Sequence, residues 1–336
     1  MNNITKILVA ISFLFSVVSA NAGEMTVTGN MEATYNTAEE VTTGNPLGMD
    51  RELKFAATTE LDNGMTVSVM QDTSDNLAFG NSQISFGNVF GLATLYVGSD
   101  SDPMDAIDDI TPSAYEEANG SGAGTFVDVG AMAGQMGLGT KLDVPFLGAL
   151  NAKYYPKADG AKNADNASSG DSSGSVGSGS SVTLKTDLGQ LLGQLEGASI
   201  TTGYSESQTS TAANTADAVE LTAALNYAYG PISFGLQRKY NNVGMTAIGT
   251  DATFHNDVVV GIAYAVNDAL SLSFNRYTSN RHALLSDNNE QETDAINIGY
   301  TIGGMTIGFQ DASTDNAGYV LNAKDDTRTL GVAVAF

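Results

Sequence analysis

The chain has 336 residues, no cysteine, and 14 Lys plus Arg against 38 Asp plus Glu. This acidic balance excludes nucleic acid as a partner, because few bases are available to neutralise phosphates. The lack of cysteine excludes disulfides, thiolate catalysis and cysteine-based zinc sites. The two histidines, His255 and His282, lie in polar stretches and are expected in exposed loops. A Ser-His-carboxylate enzyme is therefore not expected.

Residues 1–22 have the pattern of a secretory signal peptide. Lys6 supplies the positive start, residues 7–18 form an apolar stretch, and Ala20-Asn21-Ala22 gives a small-x-small cleavage pattern. A membrane anchor is the alternative, but the apolar run is short for a spanning helix. The sequence thus predicts an exported chain whose mature part is residues 23–336.

The rest of the chain alternates between apolar and polar residues. Leu270, Leu272 and Phe274, for example, share one face, while Ser271 and Ser273 share the other. A period of two predicts β-strands. The segments are about ten residues long, which suits tilted strands that cross a bilayer.

The connections between these strands alternate in length. Short ones are predicted at residues 63–64, 88–89, 145–147, 230–231, 267–268 and 303–304, with a less clear one near 189–197. Long polar ones are predicted at residues 37–49, 73–78, 100–135, 157–179, 207–216, 241–253, 280–290 and 314–324. This layout, with aromatic residues at strand ends, predicts an all-β transmembrane antiparallel barrel of about sixteen strands. A soluble β-sandwich would explain the alternation but not the regular connections.

One long connection, residues 100–135, is strongly acidic. No Lys or Arg occurs between residues 55 and 140, and this segment carries eight acids: Asp100, Asp102, Asp105, Asp108, Asp109, Glu116, Glu117 and Asp128. Asp102-Pro103 predicts the start of a short helix with one acidic side and one apolar side. We expect the segment to fold into the barrel and narrow it. A solvated surface loop is the alternative.

Strand parity separates the basic residues by type. Four lysines fall on the lumen-facing parity near mid-height and are the predicted wall facing the acidic loop: Lys54, Lys141, Lys153 and Lys185. Lys239 shares their parity, nearer the long loops. The alternative for each is a solvated lumen residue with no special role. A β-bulge would reverse the parity of a strand.

Four arginines fall on the outward parity near the long loops: Arg51, Arg238, Arg276 and Arg328. Arginine binds phosphate through two hydrogen bonds, so these residues are predicted to contact lipid phosphates. If the membrane is a Gram-negative outer membrane, the predicted lipid is lipopolysaccharide. The alternatives are pairing with nearby acids and, for Arg51, a contact between subunits.

The signal peptide, the alternating connections, the acidic insert after the fifth strand and the terminal Phe336 together resemble Gram-negative general porins. The likeness is greatest to the trimeric sixteen-stranded kind, including alphaproteobacterial ones, and covers the mature chain. It implies a homotrimer in the outer membrane and a third loop that constricts the pore. The acids carried over to that constriction are Asp102, Asp105, Asp108, Asp109, Glu116 and Glu117. The resemblance also implies that Phe336 is read by the barrel-insertion machinery. The arginine cluster that the family often has on the wall has no counterpart on the inward parity.

The expected function is passive diffusion of ions and small hydrophilic solutes through a water-filled channel. A ring of carboxylates favours cations. A substrate-selective channel and a non-conducting barrel that acts as an adhesin or structural protein are the alternatives. No cofactor is required. The crowded oxygen donors Asp100, Asp102, Asp105 and Asp108 form a candidate calcium site.

Overall fold

The computed structural model describes residues 25–38, 44–73, 79–100, 102–157, 177–208, 217–242, 244, 253–283 and 288–336. The predicted signal peptide lies outside the described residues.

Sixteen antiparallel strands form a closed barrel in which each strand pairs with its neighbours in sequence and β1 pairs with β16. The strands are β1 (Met25–Ala38), β2 (Leu47–Glu60), β3 (Thr66–Thr73), β4 (Phe79–Val89), β5 (Ala93–Gly98), β6 (Gly137–Val144), β7 (Gly148–Tyr155), β8 (Gly179–Asp187), β9 (Ala198–Ser207), β10 (Ala218–Tyr229), β11 (Ile232–Asn242), β12 (Thr253–Ala265), β13 (Leu270–Ala283), β14 (Glu290–Ile302), β15 (Met305–Asp315) and β16 (Lys324–Ala335). The predicted fold class and strand number are confirmed. No helix in the described part of the chain is long and apolar enough to cross a membrane.

The last residue takes part in closing the barrel. The backbone N–H of Phe336 donates to the carbonyl of Gly29 at 3.0 Å, and the N–H of Gly29 donates to the carbonyl of Phe336 at 2.9 Å. The β1–β16 ladder continues from there to Ala38, which pairs with Thr327. Closure leaves no free sheet edge between the first and last strands.

Alternation along the strands gives the barrel an apolar outer face and a polar inner face. On β14, Ile296, Ile298 and Tyr300 are exposed on the outside, whereas Ala295 and Asn297 are completely buried on the inside. The buried side chains therefore lie within the barrel, where a loop covers the inner wall.

Short and long connections alternate along most of the chain. The alternation fails at residues 61–65 and 74–78, two connections of equal length on either side of β3, and at residues 188–197 and 208–217, two of equal length on either side of β9. The unclear connection after β8 contains a short helix, α1 (Leu188–Leu192). The side chain of Asp187 caps it by accepting from the N–H of Gln190 at 3.1 Å, and Gly193 ends it with a φ of 67°. Register shifts occur between β3 and β4 and between β4 and β5. Strands β11, β13 and β16, which carry three of the four outward arginines, pair without a shift.

Candidate functional site

The connection between β5 and β6, residues 99–136, lies inside the barrel; we call it the inner loop. Its regular structure is limited to two 3-10 turns, Asp105–Ile107 and Asn119–Ser121. The predicted helix is thus a single turn, and its apolar side packs on the wall. Met104 is fully buried, and a Cβ at Gly203 would lie 2.6 Å from the Met104 sulfur.

Glycines on the inner wall make room for the outgoing half of the inner loop, residues 104–115. A Cβ at Gly261 would lie 2.7 Å from the carbonyl oxygen of Pro112, closer than real Cβ contacts allow. The same crowding occurs at all six positions of what we call the glycine track: Gly203, Gly235, Gly261, Gly299, Gly308 and Gly331. Because only glycine permits such a close backbone approach, the track fixes the path of the loop from β9 to β16.

Amide side chains of the wall satisfy the backbone of the inner loop, which has no hydrogen-bond ladder of its own. Gln237 donates to the carbonyl of Ile107 at 2.7 Å and accepts from the N–H of Ile110 at 3.2 Å. Asn275 donates to the carbonyl of Pro112 at 2.9 Å. These amides are buried under the loop, so they bind it to the wall instead of facing water.

The returning half of the loop follows the same wall in the opposite direction. Gln291 exchanges hydrogen bonds with the backbone of Thr125 at 2.8 and 3.1 Å. Further along, the carboxylate of Glu220 accepts from the N–H groups of Gly130 and Ala131, each at 3.1 Å. The described contacts of the loop therefore run along the inner wall from β7 to β16.

Lys239 forms the main ionic contact between the wall and the loop. Its ammonium pairs with Asp109 at 3.3 Å and with Asp128, and it lies 4.6 Å from the ring centre of Tyr277. Asn119 donates to both carboxylates, at 2.8–2.9 Å. The lysine is 1% exposed, so this is a buried charge with two partners.

The tip of the loop reaches the seam between β16 and β1. The ring of Tyr115 lies against Gly308 and Gly331, and its hydroxyl donates to the carboxylate of Glu32 on β1 at 2.5 Å. No motif or spacing in the sequence singles out Glu32. Its inward parity was visible in the alternation, but its partner depends on where the loop tip lies.

The predicted constriction acids occupy three different environments. Asp102 is 3% exposed and accepts hydrogen bonds from Tyr155 at 2.6 Å and Ser181 at 3.0 Å, so it anchors the loop root instead of lining the opening. Asp109 is held in the ion pair with Lys239. The remaining acids lie exposed or half-buried on the loop: Asp105, Asp108, Glu116 and Glu117.

Burial raises the pKa of all four of these loop carboxyls, and two of them reach about 7. Burial, followed by repulsion from Asp109 and Asp128, raises the pKa of Asp108 to about 7. Burial, followed by repulsion from Glu117 and Glu32, raises the pKa of Glu116 to about 7. The charge on this part of the loop is therefore set by pH in the neutral range.

The four lysines predicted for the pore wall do not act as a set. Lys153 is buried beneath the loop root, where it donates to the carbonyl of Asp100 at 2.9 Å and stacks on Tyr155. Lys141 lies 5.6 Å from the ring centre of Tyr96. Lys54 and Lys185 are exposed on the inner parity of the barrel. Among the described residues, Lys239 is a base that forms ion pairs with loop acids, and parity places it in the lumen but outside the predicted set of four.

The candidate calcium ligands Asp100, Asp102, Asp105 and Asp108 are not gathered into one site. Among the residues that the structure describes, no group of three or more His, Asp or Glu side chains is arranged to hold a metal ion. The carboxylate of Asp102 points into the wall. Calcium binding stays a prediction of the sequence alone.

Comparison with known proteins gives matches only at the level of structure. No protein-family model matches the chain, and neither does any curated protein. An outer-membrane OmpT of Vibrio cholerae superposes with a TM-score of 0.70 at 10% identity, covering 96% of this chain and all of that chain. An anion-selective porin of Comamonas acidovorans gives 0.69 at 14% identity, covering 94% of this chain and all of that one. A mutant porin of Rh. blastica gives 0.57 at 16% identity, covering 93% and 100%. The chain has the porin fold.

The outward arginines of this porin fold differ in their partners. Arg276 makes a two-pronged contact with Asp294, at 2.5 and 2.6 Å, and also reaches Glu292 at 3.3 Å. Arg328 pairs with Asp311 at 3.0 Å. These two arginines therefore pair with acids, which is the alternative to lipid contact. The acids lie on neighbouring strands and not in loops. Arg51 is half-buried.

Arg238 is the fourth outward arginine, and its Nε donates to the side-chain oxygen of Asn256 at 3.2 Å.

His255, one of the two histidines expected in exposed loops, lies instead on β12. It is buried, and its ring stacks 5.6 Å from that of Tyr319. This stacking gives it a packing role in the lumen wall.

Proposed function

We propose that the chain forms a water-filled channel across a Gram-negative outer membrane for passive diffusion of ions and small hydrophilic solutes. The observation that carries this proposal is the position of the inner loop. It is bound to the inner wall of a closed barrel from β7 to β16, which supports a narrowed passage through the lumen. The exposed apolar outer face supports a membrane location, since such a surface needs a lipid environment.

We further propose that the channel prefers cations. Asp105, Asp108, Glu116 and Glu117 lie on the loop. Of the two lysines described in contact with it, Lys239 is paired with Asp109 and Asp128, and Lys153 donates to the carbonyl of Asp100. Unpaired carboxylates at a narrow point attract cations and repel anions. One structural neighbour is described as anion-selective. The fold therefore does not determine which sign of ion is preferred, and the charges of these side chains must determine it.

Single-channel recording in a planar bilayer tests both parts. A large ohmic conductance is expected, and the reversal potential in a KCl gradient should have the sign of a cation-preferring pore. Changing Asp108→Asn together with Glu116→Gln should reduce the preference. The matched control is Asp62→Asn with Asp268→Asn, which removes two acids from short turns and should leave it nearly unchanged. An anion-preferring wild type contradicts the proposed cation preference. The absence of conductance from folded protein contradicts the proposed channel and favours an adhesin or structural barrel.

The remaining parts of the proposal concern assembly. A homotrimer is proposed from the resemblance to trimeric porins, and one solved form of the Vibrio cholerae protein is described as a trimer. Export through a cleaved signal peptide and recognition of Phe336 by the insertion machinery are likewise proposed. The position of Phe336 at the closing seam with Gly29 supports a role in assembly. Crosslinking of purified protein, followed by electrophoresis, tests the trimer.

A further inference from the structure

The outer wall has a groove across β8 to β12. Its volume is about 530 Å³, within the range of small-molecule sites. Thr202 and Ala223 pair directly across β9 and β10 and form its floor. Leu184 lies on one side of them and Arg238 on the other, each paired with a floor residue. Small side chains between larger ones therefore produce a depression in a wall that is otherwise convex.

The upper edge of the groove, towards the long connections, is aromatic. Tyr204, Leu221 and Tyr240 pair in one row across β9, β10 and β11, one outward position above the floor. The lower edge is the aliphatic row of Ile200, Leu225 and Leu236. A groove with an apolar lower edge, a tyrosine upper edge and a cation at one end matches the apolar-to-polar gradient at a membrane interface.

The charge at the end of the groove is what specifies the occupant. The outward arginines Arg276 and Arg328 are neutralised by carboxylates, whereas Arg238 contacts an amide oxygen, that of Asn256, and no carboxylate within the described part of the chain. Glu206, which lies two strands away and nearer the long connections, accepts from the hydroxyl of Tyr204 at 2.7 Å. The guanidinium of Arg238 therefore has donors left for an anion, and a guanidinium matches phosphate geometry.

We propose that this groove binds one acylated, phosphorylated lipid of the outer leaflet. An acyl chain lies over Thr202 and Ala223, and the lipid phosphate accepts hydrogen bonds from Arg238. This inference rests on the proposed membrane location. Of the four arginines predicted to contact lipid, Arg238 is the one that borders this apolar groove, and it has no acid partner among the described residues.

Binding is measured by titrating the purified full-length barrel, in an uncharged detergent, with lipid A and counting bound lipid by native mass spectrometry. Arg238→Gln should weaken binding about fivefold, the effect of losing roughly 1 kcal/mol of interaction with an anionic headgroup. Ala223→Leu fills the floor and should weaken it similarly while leaving the charge in place. Arg328→Gln is the matched control and should have little effect, since that arginine is paired with Asp311. Inorganic phosphate, which has no acyl chain, should not compete.

Equal weakening by Arg238→Gln and Arg328→Gln would overturn the site, because it would mean general attraction to positive charge. So would unchanged binding in Ala223→Leu, or competition by inorganic phosphate. Heat-dependent electrophoretic mobility confirms that each variant is a folded barrel. Conductance recorded on the same samples separates this inference from the proposed function. A conducting barrel that binds no lipid A refutes only the groove, and a non-conducting barrel that binds it refutes only the channel.

Discussion

The hydroxyl of Tyr115 donates to the carboxylate of Glu32 at 2.5 Å, and this bond joins residues 83 positions apart. Tyr115 is at the tip of the inner loop, while Glu32 is on the first strand. The ring rests against two glycines of the track, Gly308 and Gly331. The loop is thus fixed at both ends, by Asp102 at its root and by Tyr115 at its tip.

Removing the tip contact should loosen the loop. Tyr115→Phe keeps the ring on the glycines but loses a hydrogen bond to a charged group, which is worth about 1.5–3 kcal/mol. We expect a lower melting temperature and more frequent fluctuation between conductance sub-levels. Tyr300→Phe, on the outer face, is the control. Wild-type current noise and melting in Tyr115→Phe would mean that the other wall contacts hold the tip alone.

A methyl group on the glycine track should move the loop. A Cβ at Gly331 would overlap the hydroxyl of Tyr115 and the carboxylate of Glu32, whereas one at Gly44 meets nothing within 4 Å. Gly331→Ala is expected to cost about 1–3 kcal/mol through overpacking and to lower single-channel conductance. Gly44→Ala should do neither. If both variants conduct like the wild type, the track is not what sets the width of the opening.

Lys239 should matter more for stability than the exposed lumen lysines. Lys239→Met leaves Asp109 and Asp128 without their base, and breaking a buried pair in this way costs about 3–5 kcal/mol. Lys185→Met removes an exposed lysine from the same barrel and serves as the control. Thermal unfolding in detergent, followed by circular dichroism, measures both. Similar small losses would show that water or protons compensate the two carboxylates.

The selectivity should depend on pH near neutrality. Because the pKa values of Asp108 and Glu116 are raised to about 7, both side chains gain charge as the pH rises through that value. Cation preference should therefore increase from about pH 6 to about pH 8. The folded barrel holds these protons more tightly than the unfolded chain, so its free energy of unfolding should fall over the window from ordinary carboxyl pKa values up to 7.

The double variant Asp108→Asn, Glu116→Gln removes both titrating groups. Its reversal potential should be nearly constant over the same range of pH. A wild-type profile that is already flat would contradict the raised pKa values.

The terminal residue should contribute to assembly. Phe336→Ser is expected to lower the yield of inserted barrel much more than Ala335→Ser, measured in outer-membrane fractions. Both substitutions leave the backbone bonds to Gly29 and Gly304 available, so a difference reports on the aromatic side chain. Equal yields would mean that Phe336 acts only as one of the aromatic residues at the strand ends.

The sequence was informative about strands because their side chains repeat every two residues and one face must be apolar. Ile296, Ile298 and Tyr300 face outward as that pattern predicts. The inner loop has no such period. Its path depends on single glycines on six strands between β9 and β16, and neither alternation nor composition indicates that these glycines receive the same segment.

The pairing of a base with the loop could not be predicted from the sequence for the same reason. Parity gives the face on which a lysine lies but not the height at which the loop passes it. Lys153 and Lys239 have the same parity, yet one binds the loop root and the other its middle. Asp102 was predicted to start the helix, but the hydroxyls of Tyr155 and Ser181, distant in sequence, take up its carboxylate.

The glycine track runs from β9 to β16, and Glu32 reaches Tyr115 from β1. The surface that receives the inner loop is therefore incomplete until the final strand has joined the first. A precursor that lacks β16 would have no Gly331 beneath Tyr115, and its first strand would not be held beside β15 and the loop tip. Complete docking of the loop tip therefore requires the seam between β1 and β16, so the fully bound loop is a property of the closed ring.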